Sequence, residues 1–476
     1  MLETSTQRQG SRKLIPISAL LLSLTVLGMV ENIAGSALPI LQREIGFSVE
    51  QAALAISIFG LASLATIGIA GKLSDVFQAK HVAVVAMLLA VVGAAMCSFA
   101  DNFSVVIVAY VLLGAGGSAL AAGLATLRAI QGDSKSSAMG WFVGAVTLGG
   151  SLGAILSGPL TDTFSRAAVF LVPAAALLLT IVLFAVLVPK FPREFAEKSR
   201  FDYLGLVLFV ITLLALQLFL SQFSSGAANA TLVSLYAVVM VACFVLFLVV
   251  QRRAENPFLD LKLLKQPVLA GSGLLAVLAG LSYSGGYFLL QQIALLPSTE
   301  HGPGLGLSFS EITLYTAPGI MLGIVTAPFS AWLIKQWGLR WVSVLGIATL
   351  VAGALVLLLV QEGATWPIIL SGVLVIGLGG ATLYTVAVTG VEMAVPASEF
   401  GVSSAMVLTS RGVGFVAGPV ITGLLLKIGS DEAMLPTYTG LYAALAGISI
   451  LGLLGFTSVR YLPTRSTVSL DTEPAA

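Results

Sequence analysis

The chain has 476 residues, of which 9% are charged and 58% hydrophobic, with a formal net charge of +1. A soluble domain carries about 25% charged residues, so this composition cannot build a water-facing surface and excludes a soluble enzyme. The balanced charge leaves no basic footprint for nucleic acid, and the class is an all-α polytopic membrane protein.

A helix needs about 20 apolar residues to cross the hydrocarbon, and fourteen runs in chain order meet that length. Residues 1–13 form an N-terminal tail. The first run, 14–40, is too long for a signal-peptide core and holds Glu31, so it reads as the first span. The runs 52–71, 81–100, 104–127, 138–160 and 166–189 come next, completing an N-terminal six-helix half over 14–189. Residues 190–267 hold inner linkers and two extra helices, 203–222 and 231–251. No charge occurs from Tyr203 to Gln251, which suits a structural pair better than a polar pathway. The C-terminal half, 268–458, contains the runs 268–295, 312–334, 342–361, 366–390, 401–427 and 438–458, and residues 459–476 form a tail. The arrangement is 6+2+6.

All but four of the 23 basic residues fall on one side when the N-terminus is placed inside. The exceptions are Arg43, Arg166 and Lys427 on the outer side and Arg411 within a span. This asymmetry places both termini in the cytoplasm. Cys97 and Cys243 each lie in an apolar run, so no disulfide framework is expected. His81 and His301 are far apart and no CxxC occurs, so neither a metal nor a cofactor is expected. No GxxxxGK[ST] occurs either, which disfavours ATP-driven pumping.

Two inner loops look alike. Gly71-Lys-Leu-Ser-Asp75-Val-Phe-Gln-Ala-Lys80 comes after the second run of one half, and Ser330-Ala-Trp-Leu-Ile-Lys335-Gln-Trp-Gly338-Leu-Arg340 after the second run of the other. Lys80 aligns with Arg340 and Gln78 with Gly338. Two related halves with a site at their interface are a transporter signature.

Four stretches resemble the major facilitator superfamily, and more narrowly its fourteen-span drug:proton antiporters. The first loop resembles the signature G-x-x-x-D-[RK]-x-G-[RK]-[RK]: Gly71, Asp75 and Lys80 match, while Val76, Gln78 and Ala79 depart from it. Gly149-Gly-Ser-Leu-Gly153-Ala-Ile-Leu-Ser-Gly158-Pro159 resembles the antiporter glycine motif, with Ala154 where a proline is usual. Val30-Glu31-Asn32-Ile-Ala-Gly-Ser-Ala37-Leu38-Pro39 resembles the acidic stretch of the first span. Thr409-Ser-Arg411-Gly-Val-Gly414 resembles the Arg-x-x-Gly helix start. The usual arginine of the fourth span is absent, and Tyr110 stands there.

The resemblance implies the major facilitator fold with 14 transmembrane helices, in the plasma (inner) membrane. It implies a proton-coupled exporter of hydrophobic or cationic small molecules working by alternating access. Export of a lipid, siderophore or other natural metabolite is the alternative on the same fold. A membrane-embedded enzyme is disfavoured, since no nucleophile–base or metal cluster is visible. The expected partners are an amphipathic small-molecule substrate, protons and membrane lipids, and the chain is expected to act as a monomer.

Charges inside spans are costly and usually functional; Glu31 and Arg411 are the two clear cases, at mid-depth. A low-dielectric setting disfavours the charged form of a carboxyl, so Glu31 can load and release a proton near neutral pH; the alternative is a fixed structural partner for an arginine or for backbone donors. Arg411 is a countercharge, an anion-binding group or a packing anchor. Gating falls to Gly71, Asp75 and Lys80 at the inner loop, and to Gly149, Gly153, Gly158 and Pro159, whose small surfaces let helices approach and rock. Substrate contacts are expected from Asn32, Tyr110, Trp141, Tyr283, Tyr287, Gln291, Gln292, Tyr315 and Tyr384. Of Gln291 and Gln292, which are adjacent, at most one should face a cavity squarely.

Overall fold

The computed structural model describes residues 2–131, 135–189, 202–224, 229–254, 265–295, 304–360, 365–394, 400–428, 438–459 and 462. Among these residues the regular structure is entirely helical. In chain order the helices are α1 (Leu2–Ser36), α2 (Leu38–Ile45), α3 (Val49–Val76), α4 (Ala79–Ser98), α5 (Phe103–Gly116), α6 (Ser118–Gln131), α7 (Lys135–Thr163) and α8 (Arg166–Leu187). Then come α9 (Tyr203–Ser224), α10 (Ala230–Arg253), α11 (Pro267–Leu295), α12 (Phe309–Trp337), α13 (Leu339–Val356), α14 (Trp366–Gly372), α15 (Ala381–Ala394), α16 (Phe400–Leu426) and α17 (Tyr438–Val459). Ten helical stretches among the described residues are long and apolar enough to cross a membrane. Gln51–Ile67, Leu148–Leu160 and Tyr203–Phe219 are shorter apolar stretches within α3, α7 and α9.

Local chemistry sets the helix ends. Ser48 and Gln51 form a reciprocal capping box at the start of α3. Asn102, Ser165 and Asn229 cap α5, α8 and α10 through their side-chain oxygens. Gly338 has φ 83°, a conformation that favours glycine, and it turns the chain from α12 into α13.

Five expected features differ from what the structure holds. The run 14–40 is broken at Ala37, because Pro39 lies in the first turn of α2 and suits a helix start better than a helix interior. The run 104–127 is broken at Gly117. The inner loop at 71–80 is mostly helix: α3 continues through Gly71 and Asp75 to Val76, and only Phe77 and Gln78 are extended. The run 366–390 contains a π-helical segment, Val373–Gly380, between α14 and α15. The run 138–160 extends further at both ends, since α7 spans Lys135–Thr163.

The chain divides into two compact units. Unit 1 takes Met1–Phe258, Gln291–Pro297 and Gly306–Ala317; unit 2 takes Leu259–Leu290, Ser298–Leu305 and Pro318–Ala476. In unit 1, α1 packs on α7 and α8, and α4 packs on α5 and α8. The pair α9–α10 rests on α3, where the Gln217 amide donates to the Leu54 carbonyl at 3.2 Å. Phe209 and Phe247 meet at 5.5 Å between α9 and α10, and Gln251 donates to Asp202 at 2.6 Å. Most of α10 is exposed apolar surface, as befits a helix against lipid. In unit 2, α13 packs on the π segment, α15 and α17, around a core of Leu275, Leu278, Ile347, Leu350, Val375 and Leu383.

The loop repeat has a structural counterpart. Lys80 at the start of α4 donates to the Val188 carbonyl at the end of α8, at 2.5 Å. Arg340 at the start of α13 donates to the Val459 carbonyl at the end of α17, at 3.3 Å. Each cation meets the carbonyl end of a helix in its own unit, α8 or α17, where a positive charge is favoured.

Candidate functional site

The site in unit 1 is built on the contact between α1 and α7. A Cβ on Gly149 would overlap the Thr25 carbonyl oxygen, and one on Gly153 would overlap that of Met29. From the other side, a Cβ on Gly28 would lie 2.7 Å from the Val146 carbonyl oxygen. The two backbones therefore touch without side chains between them, as small residues in membrane helices permit. Asn32 continues this seam: its amide lies over the bare Cα of Gly150 and donates to the Gly28 carbonyl at 3.4 Å.

This seam fixes the azimuth of Glu31, one residue before Asn32. Glu31 points to the break between α5 and α6. A Cβ on Gly117 would lie 3.0 Å from Glu31 Oε1 and 2.6 Å from Ser63 Oγ. Among the described residues Oε1 is fully enclosed and has no hydrogen-bond partner. An enclosed carboxyl oxygen without a donor is costly, so this position suits a group that changes its protonation state. Neither Gly117 nor Ser63 stands out in the sequence. Gly117→Val is expected to displace the carboxyl and to cost about 1–3 kcal/mol of stability through overpacking. A melting curve checks this, and Ser63→Ala in the same chain should recover part of the loss.

Unit 2 repeats the arrangement residue by residue. A Cβ on Gly414 of α16 would overlap the Val277 carbonyl of α11, and one on Gly280 would overlap the Arg411 carbonyl. A Cβ on Gly418 would lie 2.9 Å from the Leu281 carbonyl oxygen. Gly149 thus corresponds to Gly414, Gly153 to Gly418, Gly28 to Gly280 and Val146 to Arg411. Gly418 is followed by Pro419, the proline that Ala154 replaces in α7. Ser284 ties the seam with a bond to the Phe415 carbonyl at 2.8 Å. In this register Glu31 corresponds to Tyr283.

Around Tyr283 the polar investment differs from that of unit 1. Arg411 Cζ lies 4.6 Å from the Tyr384 ring centroid and 5.9 Å from that of Tyr283. Tyr283 stacks with Tyr287 at 6.5 Å and with Phe415 at 6.4 Å. Tyr384 enters four residues after the π segment. That segment takes a wider turn where Gly377 lies against the Gly319 carbonyl, and such turns re-aim the side chains beyond them. Tyr283, Tyr287, Tyr384 and Arg411 are thereby brought together.

The other expected substrate residues are placed differently. Tyr110 is wholly buried, and its hydroxyl donates to the Ala34 carbonyl at 2.5 Å. Gln291 and Gln292 are both buried in unit 1. Gln291 donates to the Gly35 carbonyl at 3.2 Å and Gln292 to Gln42 Oε1 at 3.0 Å. These three side chains are engaged with protein in this structure. Tyr315 is half-buried. Gly158 is buried and Pro159 exposed on α7. The side chains of Trp141 and Asp75, and the surroundings of Gly71, lie outside the described residues.

The family model for the Major Facilitator Superfamily matches residues 20–295 and 273–475. The multidrug efflux pump LfrA of Mycolicibacterium smegmatis is 26% identical over 424 residues, covering 88% of this chain and 82% of its own. The quinolone resistance protein NorB of Staphylococcus aureus is 23% identical over 470 residues, covering 95% and 96%. Among solved structures, the nucleoside transporter NupG aligns with a TM-score of 0.63 at 12% identity, covering 93% of this chain and 99% of that one. The peptide transporter POT in complex with sulfate aligns with a TM-score of 0.67 at 15% identity, covering 94% and 95%. These two likenesses concern the fold.

Proposed function

The chain belongs to the major facilitator superfamily, and from that premise we propose that it is a multidrug exporter of the plasma membrane, driven by protons. Its relatives LfrA and NorB are a multidrug efflux pump and a quinolone resistance protein, which supports the cargo class. The observation that carries proton coupling is the enclosed, unpartnered carboxyl oxygen of Glu31 within the apolar stretch Ile15–Ser36. In this reading Glu31 exchanges its proton for a cationic or amphipathic substrate as the cavity alternates between the two faces. The chain has fourteen spans with both termini in the cytoplasm. The ten long apolar helices, the three shorter apolar stretches and α17 match the fourteen runs in order, which supports that count. One chain carries both repeats, which suits a monomer.

The test is transport by purified protein in liposomes with an imposed pH gradient, using ethidium as the cargo. Uphill movement of the dye that collapses when a protonophore is added is expected. Equal movement with and without the gradient would contradict proton coupling.

A further inference from the structure

Arg411 is a permanent cation placed well inside α16, eleven residues from its first residue Phe400. A charge at such depth is compensated by a counter-ion, a carbonyl or a ligand. Among the described residues its guanidinium lies over two rings, those of Tyr384 and Tyr283, and makes no ion pair or hydrogen bond. Cation–π contact engages the flat face of a guanidinium. Its N–H donors lie in the plane and remain available, arranged as a fork that fits a carboxylate. Arg411, Tyr283, Tyr384 and Phe415 are each only partly buried, so this surface is accessible within unit 2. The Tyr287–Tyr283–Phe415 stack continues it as a row of ring faces.

We propose that Arg411 with Tyr283 and Tyr384 forms a subsite for the carboxylate of a planar aromatic compound. The guanidinium fork takes the carboxylate, and the rings take the aromatic face by offset stacking. The inference rests on the reading of the chain as a small-molecule exporter and widens its cargo. A compound with a cationic end and an aromatic acid end would then present its acid end to Arg411. A purely cationic compound gains nothing from Arg411 and is repelled by it.

The experiment is equilibrium binding to the full-length purified protein in detergent, without a pH gradient. It uses three fluorescent probes of one shape: anthracene-9-carboxylate, anthracene-9-carboxamide and anthracen-9-ylmethylammonium. A charge-assisted, bidentate contact is expected to favour the carboxylate over the amide by about tenfold. Arg411→Gln should erase that preference, and Tyr384→Ala should weaken both the carboxylate and the amide. Glu31→Gln should keep the carboxylate preference. It is also expected to abolish proton-driven transport, so the two readings fail separately. Equal binding of carboxylate and amide by the unaltered protein would overturn the proposal without need of any variant. So would a carboxylate preference that survives in Arg411→Gln.

Discussion

Glu31→Gln is expected to reduce uphill export to background while leaving downhill movement of the same substrate in place. The amide has nearly the shape of the acid, so the seam between α1 and α7 and the niche at Gly117 are undisturbed. What disappears is the ability to bind and lose a proton. Alternation between faces does not itself require that proton, so facilitated movement down a gradient persists. Paired assays in liposomes, one with an imposed pH gradient and one with substrate exchange at equal pH, separate the two. Loss of both would mark Glu31 as a structural residue, and retention of both would remove it from coupling.

Gly149→Val and Gly414→Val are each expected to stop transport and to lower the melting temperature. In both places the added Cβ meets a backbone carbonyl, of Thr25 or of Val277. A flexible side chain could move aside, but a helix backbone cannot, so the helices must separate. Overpacking of this kind costs about 1–3 kcal/mol or more. The equivalence of the two seams adds a check: the two variants should resemble one another. A control such as Gly323→Ala in α12, where no atom lies within 4 Å of the added Cβ, should be close to neutral. Normal transport in Gly149→Val would remove the close-contact argument.

Much of this architecture was legible in the sequence because lipid imposes a simple demand. A spanning helix must be apolar for about 20 residues, and ten helical stretches among the described residues meet that demand. The same demand hides what happens inside a run. The breaks at Ala37 and Gly117 and the π segment Val373–Gly380 lie within unbroken apolar stretches, where hydropathy carries no signal. Pro39 marked the first break, and the glycines at 377, 379 and 380 marked the third. Gly149 and Gly153 were legible as a motif. Gly28, across the same seam, and Gly280, its counterpart in unit 2, were not, because a close approach between helices distant in sequence shows only in three dimensions. Glu31 and Arg411 stood out because charge is rare in this chain. Their neighbours did not: nothing in the sequence joins Glu31 to Gly117, or Arg411 to Tyr384. Tyr110, Gln291 and Gln292 were expected to meet substrate because they are polar. Their partners Ala34, Gly35 and Gln42 lie in α1 and α2, remote in sequence from all three.

Proton release on substrate binding tests the role of Glu31 most directly. Purified protein in weakly buffered detergent solution is mixed with tetraphenylphosphonium, and the pH change is recorded with an indicator dye. The unaltered protein is expected to release about one proton per cation bound, as Glu31 trades its proton for the substrate. Glu31→Gln is expected to release none. Equal release from both proteins would contradict the assignment of Glu31 as the coupling residue.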